Sequence, residues 1–175
     1  MSNIKRTKKN KKYNLVYMAK PVYGGWVSFT SHLALKKDYK LYRISNKTES
    51  KERPYGYGVN YRNLSIKDVV KLPNLLITAV DKKFYEYLPF IKGATIVIHD
   101  PTELKEEVLD FIKRNKVITI RKTVQKLLKE KHGIKSKFLY HPLYEFPFDK
   151  TSIKKKTRNI SISRVDFDKN THLVV

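Results

Sequence analysis

The chain contains no cysteine. It therefore has no disulfide framework, no thiolate zinc site, no iron–sulfur ligation and no cysteine nucleophile. Acidic residues are scarce: 16 Asp and Glu stand against 38 Lys and Arg, a formal net charge of +22 over 175 residues. Long hydrophobic runs are missing too. The longest apolar stretches, such as Leu75 to Val80 and Ala94 to Ile98, fall far short of the roughly 18 residues a membrane span needs. After the basic start, Leu15 to Ala19 is shorter than the apolar core, about 7 to 15 residues, of a secretory signal. The full G-x-G-x-x-G fingerprint of dinucleotide-binding turns is also absent.

What is present suffices for a folded domain. Hydrophobic residues make up 41% of the chain, with 12 Tyr, 8 Phe and 1 Trp, so disorder throughout is excluded despite 31% charged residues. The length fits one ordinary domain, since domains run to about 100 to 200 residues. The excess positive charge points to a polyanionic partner, because neutralised phosphates release counterions and drive association. A coding bias that favours Lys, Tyr, Ile and Asn accounts for the same composition without any partner.

The chain divides by composition. Residues 1–12 carry Lys5, Arg6, Lys8, Lys9, Lys11 and Lys12 and no acid, a basic tail that self-repulsion keeps solvated. From 13 to 145, short apolar runs alternate with longer amphipathic segments, the pattern of a β-α-β parallel sheet. Strands are predicted at Asn14 to Met18, Leu41 to Ile44, Leu75 to Ala79, Ala94 to His99, Val117 to Ile120 and Lys137 to Tyr140. Their continuous rather than alternating apolar character is that of strands covered on both faces. The fold class is thus α/β, a Rossmann-like parallel sheet with helices on both faces.

Helices are predicted at Trp26 to Lys36 and Lys82 to Leu88. A third is capped by Thr102, with Glu103 in its first turn and Leu104, Val108, Phe111 and Ile112 on one face. A fourth starts at Thr123, turns Val124, Leu127 and Leu128 inward, and stops at Gly133. Ser45 to Tyr61 reads as a loop of aromatics and cations. Residues 146–158 read as a basic linker, and 159–175 as the first strand and helix start of a second domain. That second unit cannot bury its apolar face alone, so the chain is expected to be one domain plus the opening of another.

Three segments carry chemistry. Gly24-Gly25, between a strand and a helix, is either a tight turn or a place where backbone N–H groups meet a phosphate or sugar hydroxyl. His99-Asp100, at the carboxyl end of a strand, is either an Asp-Pro turn with a hydrogen-bonded His or a pair that handles a hydroxyl. Arg164 and Lys169, after the strand at 159–163, are either a solvated surface loop or two cations converging on a diphosphate.

In this order the segments resemble a glycosyltransferase of the GT-B architecture, two facing Rossmann-like domains, and are most similar to the phage DNA α-glucosyltransferases. Met18-Ala19-Lys20 with Gly24-Gly25-Trp26-Val27 is similar to that family's first strand and glycine loop; His99-Asp100 matches its His-Asp, and Arg164 and Lys169 match its donor-diphosphate residues. The resemblance implies transfer of a sugar from a nucleotide-sugar, UDP-glucose in that family, to a modified base in duplex DNA, in the cytoplasm of a phage-infected host. It implies His99 and Asp100 as the catalytic pair, Gly24, Gly25, Arg164 and Lys169 as donor-binding, and the chain as the acceptor-binding half, with a second polypeptide or a continuation supplying the rest of the donor domain. Phosphates would be tracked by Lys8, Lys9, Lys11, Lys12, Arg53, Lys154, Lys155, Lys156 and Arg158, with Tyr55, Tyr57 or Tyr61 against sugar or base. No bound cofactor or metal is expected. Two alternatives stand beside this reading: a non-catalytic nucleic-acid-binding protein that keeps only the acceptor domain, and a transferase acting on a cell-surface glycan or protein.

Overall fold

The structure, a computed structural model, describes residues 12–19, 24–44 and 59–145. Its elements run β1 (Asn14–Met18), α1 (Gly25–Lys37), β2 (Lys40–Ile44), β3 (Tyr61–Leu64), α2 (Ile66–Val69), β4 (Leu75–Val80), a 3₁₀ helix (Lys82–Phe90), β5 (Thr95–Ile98), a 3₁₀ turn (Pro101–Glu103), α3 (Glu106–Arg114), β6 (Lys116–Thr119), α4 (Lys122–His132) and β7 (Ser136–Phe138). The seven strands form one sheet in the order β3-β2-β1-β4-β5-β6-β7, and every neighbouring pair is parallel. This is the Rossmann-like α/β sheet that the sequence pattern predicts.

Strand order decides which face each helix covers. The chain winds outward one way from β1 to β3 and the other way from β4 to β7, so right-handed crossovers place their connections on opposite faces. Burial follows that rule. Val16, Met18 and Ile77 pack with Phe84 and Leu88 of the 3₁₀ helix, Phe111 and Ile112 of α3, and Val124 and Leu128 of α4. Leu15, Tyr17, Leu76 and Ala79 pack on the other face against Val27, Phe29 and Leu33 of α1. Fully burying one such Leu or Phe side chain contributes about 1.5–3 kcal/mol.

One irregularity shapes the centre of the sheet. Val16 pairs with Ile77 but Tyr17 pairs with Ala79, so Thr78 is an extra residue, a β-bulge. The alternation of faces shifts there. Thr78 and Ala79, though adjacent, both turn toward α1: Thr78 Oγ1 lies 2.8 Å from Thr30 Oγ1, and Ala79 belongs to the α1-side core.

Local expectations meet mixed outcomes. The predicted strands lie within one or two residues of the observed ones, and α4 ends as expected, with Gly133 left-handed at φ 66° and Ile134 N donating to Leu128 O. Thr102 caps no α-helix. Asp100 caps the 3₁₀ turn, Lys105 occupies the position before α3, and Leu104 lies outside it. Thr123 lies inside α4, whose capping position is Arg121. Strand β3 goes beyond the predicted set; its sequence, Tyr61-Arg62-Asn63-Leu64, has no apolar run, and Arg62 and Asn63 are exposed at the sheet margin. The described chain up to Tyr144 forms one compact unit. The expected linker at 146–158, the second-domain start at 159–175 and most of the Ser45 to Tyr61 loop lie outside the described residues.

Candidate functional site at the carboxyl edge

The winding direction reverses between β1 and β4, and ligands of open α/β sheets bind outside the strands' carboxyl ends at such a switch point. Here Thr78 of β4 and His99 after β5 meet Thr30 and Phe29 in the first turns of α1. His99 is the first residue past β5 and is buried. Its Nε2 lies 2.8 Å from the carbonyl oxygen of the bulged Thr78. A carbonyl only accepts, so Nε2 carries the proton and Nδ1 presents a lone pair. Phe29 meets the ring edge-on at 4.9 Å, and Trp26 lies at 6.3 Å. Burial pushes the imidazole down to about 4, a shift that His141 and Arg121 reinforce and the Thr78 carbonyl opposes. The ring is neutral at pH 7.

Asp100 has a different set of partners. Its Oδ1 accepts from Thr102 N and Thr102 Oγ1, each at 3.1 Å, and its Oδ2 accepts from Arg121 Nη1 at 2.7 Å. The Thr102 N–H above all, then the Thr102 hydroxyl and Arg121, hold the carboxyl below its usual range. It stays ionised and makes a weak base. His99 and Asp100, adjacent in sequence, share no hydrogen bond among the described residues.

The group that joins these parts is Glu103. Oε1 accepts from Trp26 Nε1 at 3.1 Å and from Asp100 N at 3.1 Å, and Oε2 accepts from His99 N at 3.2 Å. Burial pushes this carboxyl up to about 7, even against three N–H donors that favour its ionised form. Reasoning from sequence placed Glu103 only in a helix's first turn. The signal was present: Asp100-Pro101-Thr102-Glu103 is a capping box, whose terminal acid reaches back to the capping residue's N–H.

His141 also belongs to this region. Its ring stands against Phe29 at 5.4 Å and His32 at 6.1 Å, and Tyr144 N donates to His32 Nδ1 at 3.0 Å. Burial, with His141 beside it, lowers His32 below the ordinary histidine value. The segment after β7 is thereby tied across α1. Sequence reasoning marked His141-Pro142 only as the place where the strand–helix pattern fails.

Gly24 and Gly25 open α1, and a Cβ added at either meets no described atom within 4 Å. Packing of the described protein does not require glycine there. Lys12 lies at the opposite, amino end of the sheet, with Nζ 3.3 Å from Asp38 Oδ2. Lys8, Lys9, Lys11, Arg53, Lys154, Lys155, Lys156, Arg158, Arg164 and Lys169 lie outside the described residues, as do Tyr55 and Tyr57. So do Asp166 and Asp168, whose Asp-x-Asp spacing is that of metal-dependent sugar transferases with a different fold and which the expectation of no metal passed over. Among the described residues, no three His, Asp or Glu converge as a ligand set, and no helix is long and apolar enough to cross a membrane. Compared with family models, curated proteins and solved structures, the chain matches none.

Proposed function

We propose that the chain is the acceptor-binding half of a sugar transferase that draws on a nucleotide-sugar and modifies a base in DNA. The observation that supports it is the grouping of His99, Glu103 and Trp26 at the sheet's switch point. His99, neutral and fixed through Nε2, uses its Nδ1 lone pair to accept from and orient the acceptor hydroxyl. In transfer the acceptor oxygen bonds to the sugar's anomeric carbon, the bond to the diphosphate breaks, the nucleoside diphosphate leaves with the electron pair, and the hydroxyl proton passes by way of His99 Nδ1 to the departing diphosphate. Ionised Asp100 places negative charge beside the cationic sugar centre. Glu103, titrating close to neutrality, holds the two residues in position through their backbone N–H groups. Arg164 and Lys169 would hold the donor diphosphate, as the resemblance implies.

Incubation of the chain, joined to the continuation or partner polypeptide that supplies its donor half, with radiolabelled UDP-glucose and DNA containing hydroxymethylcytosine tests the proposal. Label should enter the DNA, and His99→Ala should lower the rate by about 100-fold or more, the usual contribution of a positioned acid–base group. A second reading, a nucleic-acid-binding protein without catalysis, is favoured by the Asp100 geometry, in which both carboxylate oxygens are already engaged by the protein. DNA binding with no response to any sugar nucleotide, with the donor half present, would decide for it.

A further inference from the structure

The amino edge of the sheet, the end away from His99, has a character of its own. Two cavities open there, of about 710 Å³ and 480 Å³, both within the range of about 300–1,000 Å³ typical of small-ligand sites. Tyr13 and Tyr39 line both. Their rings meet edge to face at 5.9 Å, so the pair is a shared wall rather than the end of either recess. Lys12, Lys40 and Arg62 line the first cavity; Lys37, Lys116, Lys135 and Lys137 line the second.

Seven cations face one acid, Asp38, which is paired with Lys12 at 3.3 Å. The other six enter no ion pair among the described residues. Their fields add along the edge, since screening in physiological salt acts over about 8 Å. The floor of the second cavity is apolar, built from Phe29, Leu33, Leu76, Val97, Ile118 and Leu139. Topology explains the opening. Among the described helices α1 alone covers this face, and it lies over β1 and β4, leaving the side of β5 to β7 without a described helix.

We propose that this edge binds single-stranded nucleic acid, with backbone phosphates on the cationic rim and unstacked bases in the two recesses beside the tyrosine wall. Aromatic side chains in a positively charged groove are how single strands are held without sequence preference. A duplex keeps its bases stacked inside and offers only phosphates to such recesses. The second recess ends at Phe29, whose other side meets His99, but oligonucleotide binding at the edge does not depend on sugar transfer.

The test is fluorescence anisotropy with a labelled oligothymidylate of about 12 nucleotides, without sugar nucleotide, so that its failure and the failure of sugar transfer are read separately. The triple variant Lys37→Glu, Lys116→Glu, Lys137→Glu changes exposed side chains at the edge. It should weaken binding more than tenfold and lower the salt slope by about 2, the value for three phosphate contacts on a single strand. The charge-matched control Lys113→Glu, Lys129→Glu, Lys131→Glu, on exposed positions of α3 and α4, should bind as the parent does. Tyr39→Leu should weaken binding by about tenfold through lost stacking. Equal losses in the edge and control triples would overturn the proposal, because diffuse charge would then suffice. So would equal competition by heparin or a duplex of the same length, since neither presents unstacked bases.

Discussion

The imidazole of His99 donates from Nε2 to the carbonyl oxygen of Thr78 at 2.8 Å, and Thr78 is the extra residue of the bulge between β1 and β4. A defect in the ladder thus holds the histidine that follows β5. His99 falls to about 4 from an ordinary 6.5, while Glu103 beside it rises to about 7 from 4.5. The two act on stability with opposite signs. Between pH 4 and 6.5 the unfolded chain binds a proton at the histidine and the native state does not, so this group's contribution is complete above 6.5 and is lost as pH falls. Between pH 4.5 and 7 the native state holds a proton at Glu103 and the unfolded chain does not, so that contribution is complete below 4.5 and is lost as pH rises. From pH 4.5 to 6.5 they offset one another. Urea midpoints of Glu103→Gln should therefore rise with pH through this window, where the parent is nearly flat, by about 1.4 kcal/mol per pH unit at most. A flat profile in the variant would refute the assignment of His99.

Trp26 reports the same carboxyl optically. It is the single tryptophan of the chain, and its indole N–H donates to Glu103 Oε1 at 3.1 Å. Its fluorescence should titrate with a midpoint of about 7, and the transition should vanish in Glu103→Gln. A titration that survives that substitution would mean another group governs the indole.

Thr30 and Thr78 tie α1 to the bulge. Both are fully buried, their hydroxyls are 2.8 Å apart, and Thr30 Oγ1 also donates to Trp26 O. Either Thr→Val change should cost about 1–3 kcal/mol, because it strands a buried polar partner. The double change should cost clearly less than the sum of the two. Additive losses in thermal or urea unfolding would show the hydroxyls to be independent.

The two left-handed helix ends form a natural comparison. Gly133 sits at φ 66° after α4 and Asp38 at φ 50° after α1. Gly133→Ala should destabilise by about 1–2 kcal/mol, whereas Asp38→Gly relieves the corresponding strain and should stabilise by up to about 1 kcal/mol. Asp38→Gly also removes the one acid lining the amino-edge cavities and should tighten binding of the oligothymidylate. Weaker binding in a more stable variant would contradict the electrostatic account of that edge.

The parallel sheet was legible because its inner strands are apolar on both faces. Leu75 to Val80 and Thr95 to Ile98 are almost wholly buried, so no choice of register hides them. Edge strand β3 was not legible, since Arg62 and Asn63 face solvent and leave no periodic signal. His99 was legible as a strand-end residue, but its orientation depends on a bulge twenty-one residues upstream that no local pattern marks. Glu103 was recoverable from the capping-box spacing, although its contact with Trp26 crosses 77 residues of sequence. Tyr13 and Tyr39 gave no sign of meeting, because their adjacency comes from the β1–β2 pairing.

The polar character that obscured β3 has a consequence for the chain in crowded solution. Among the described residues the seven-stranded parallel sheet ends in two margins without a further strand, each able to recruit one from another molecule. One margin exposes Arg62 and Asn63, and the other, β7, is three residues long with Lys137 exposed at its centre. Each presents a charge that an incoming copy of the same edge would meet like against like. These strands protect the sheet against edge-to-edge polymerisation, and replacing Arg62 and Lys137 with Val should show itself first as turbidity at high protein concentration rather than as a loss of unfolding free energy.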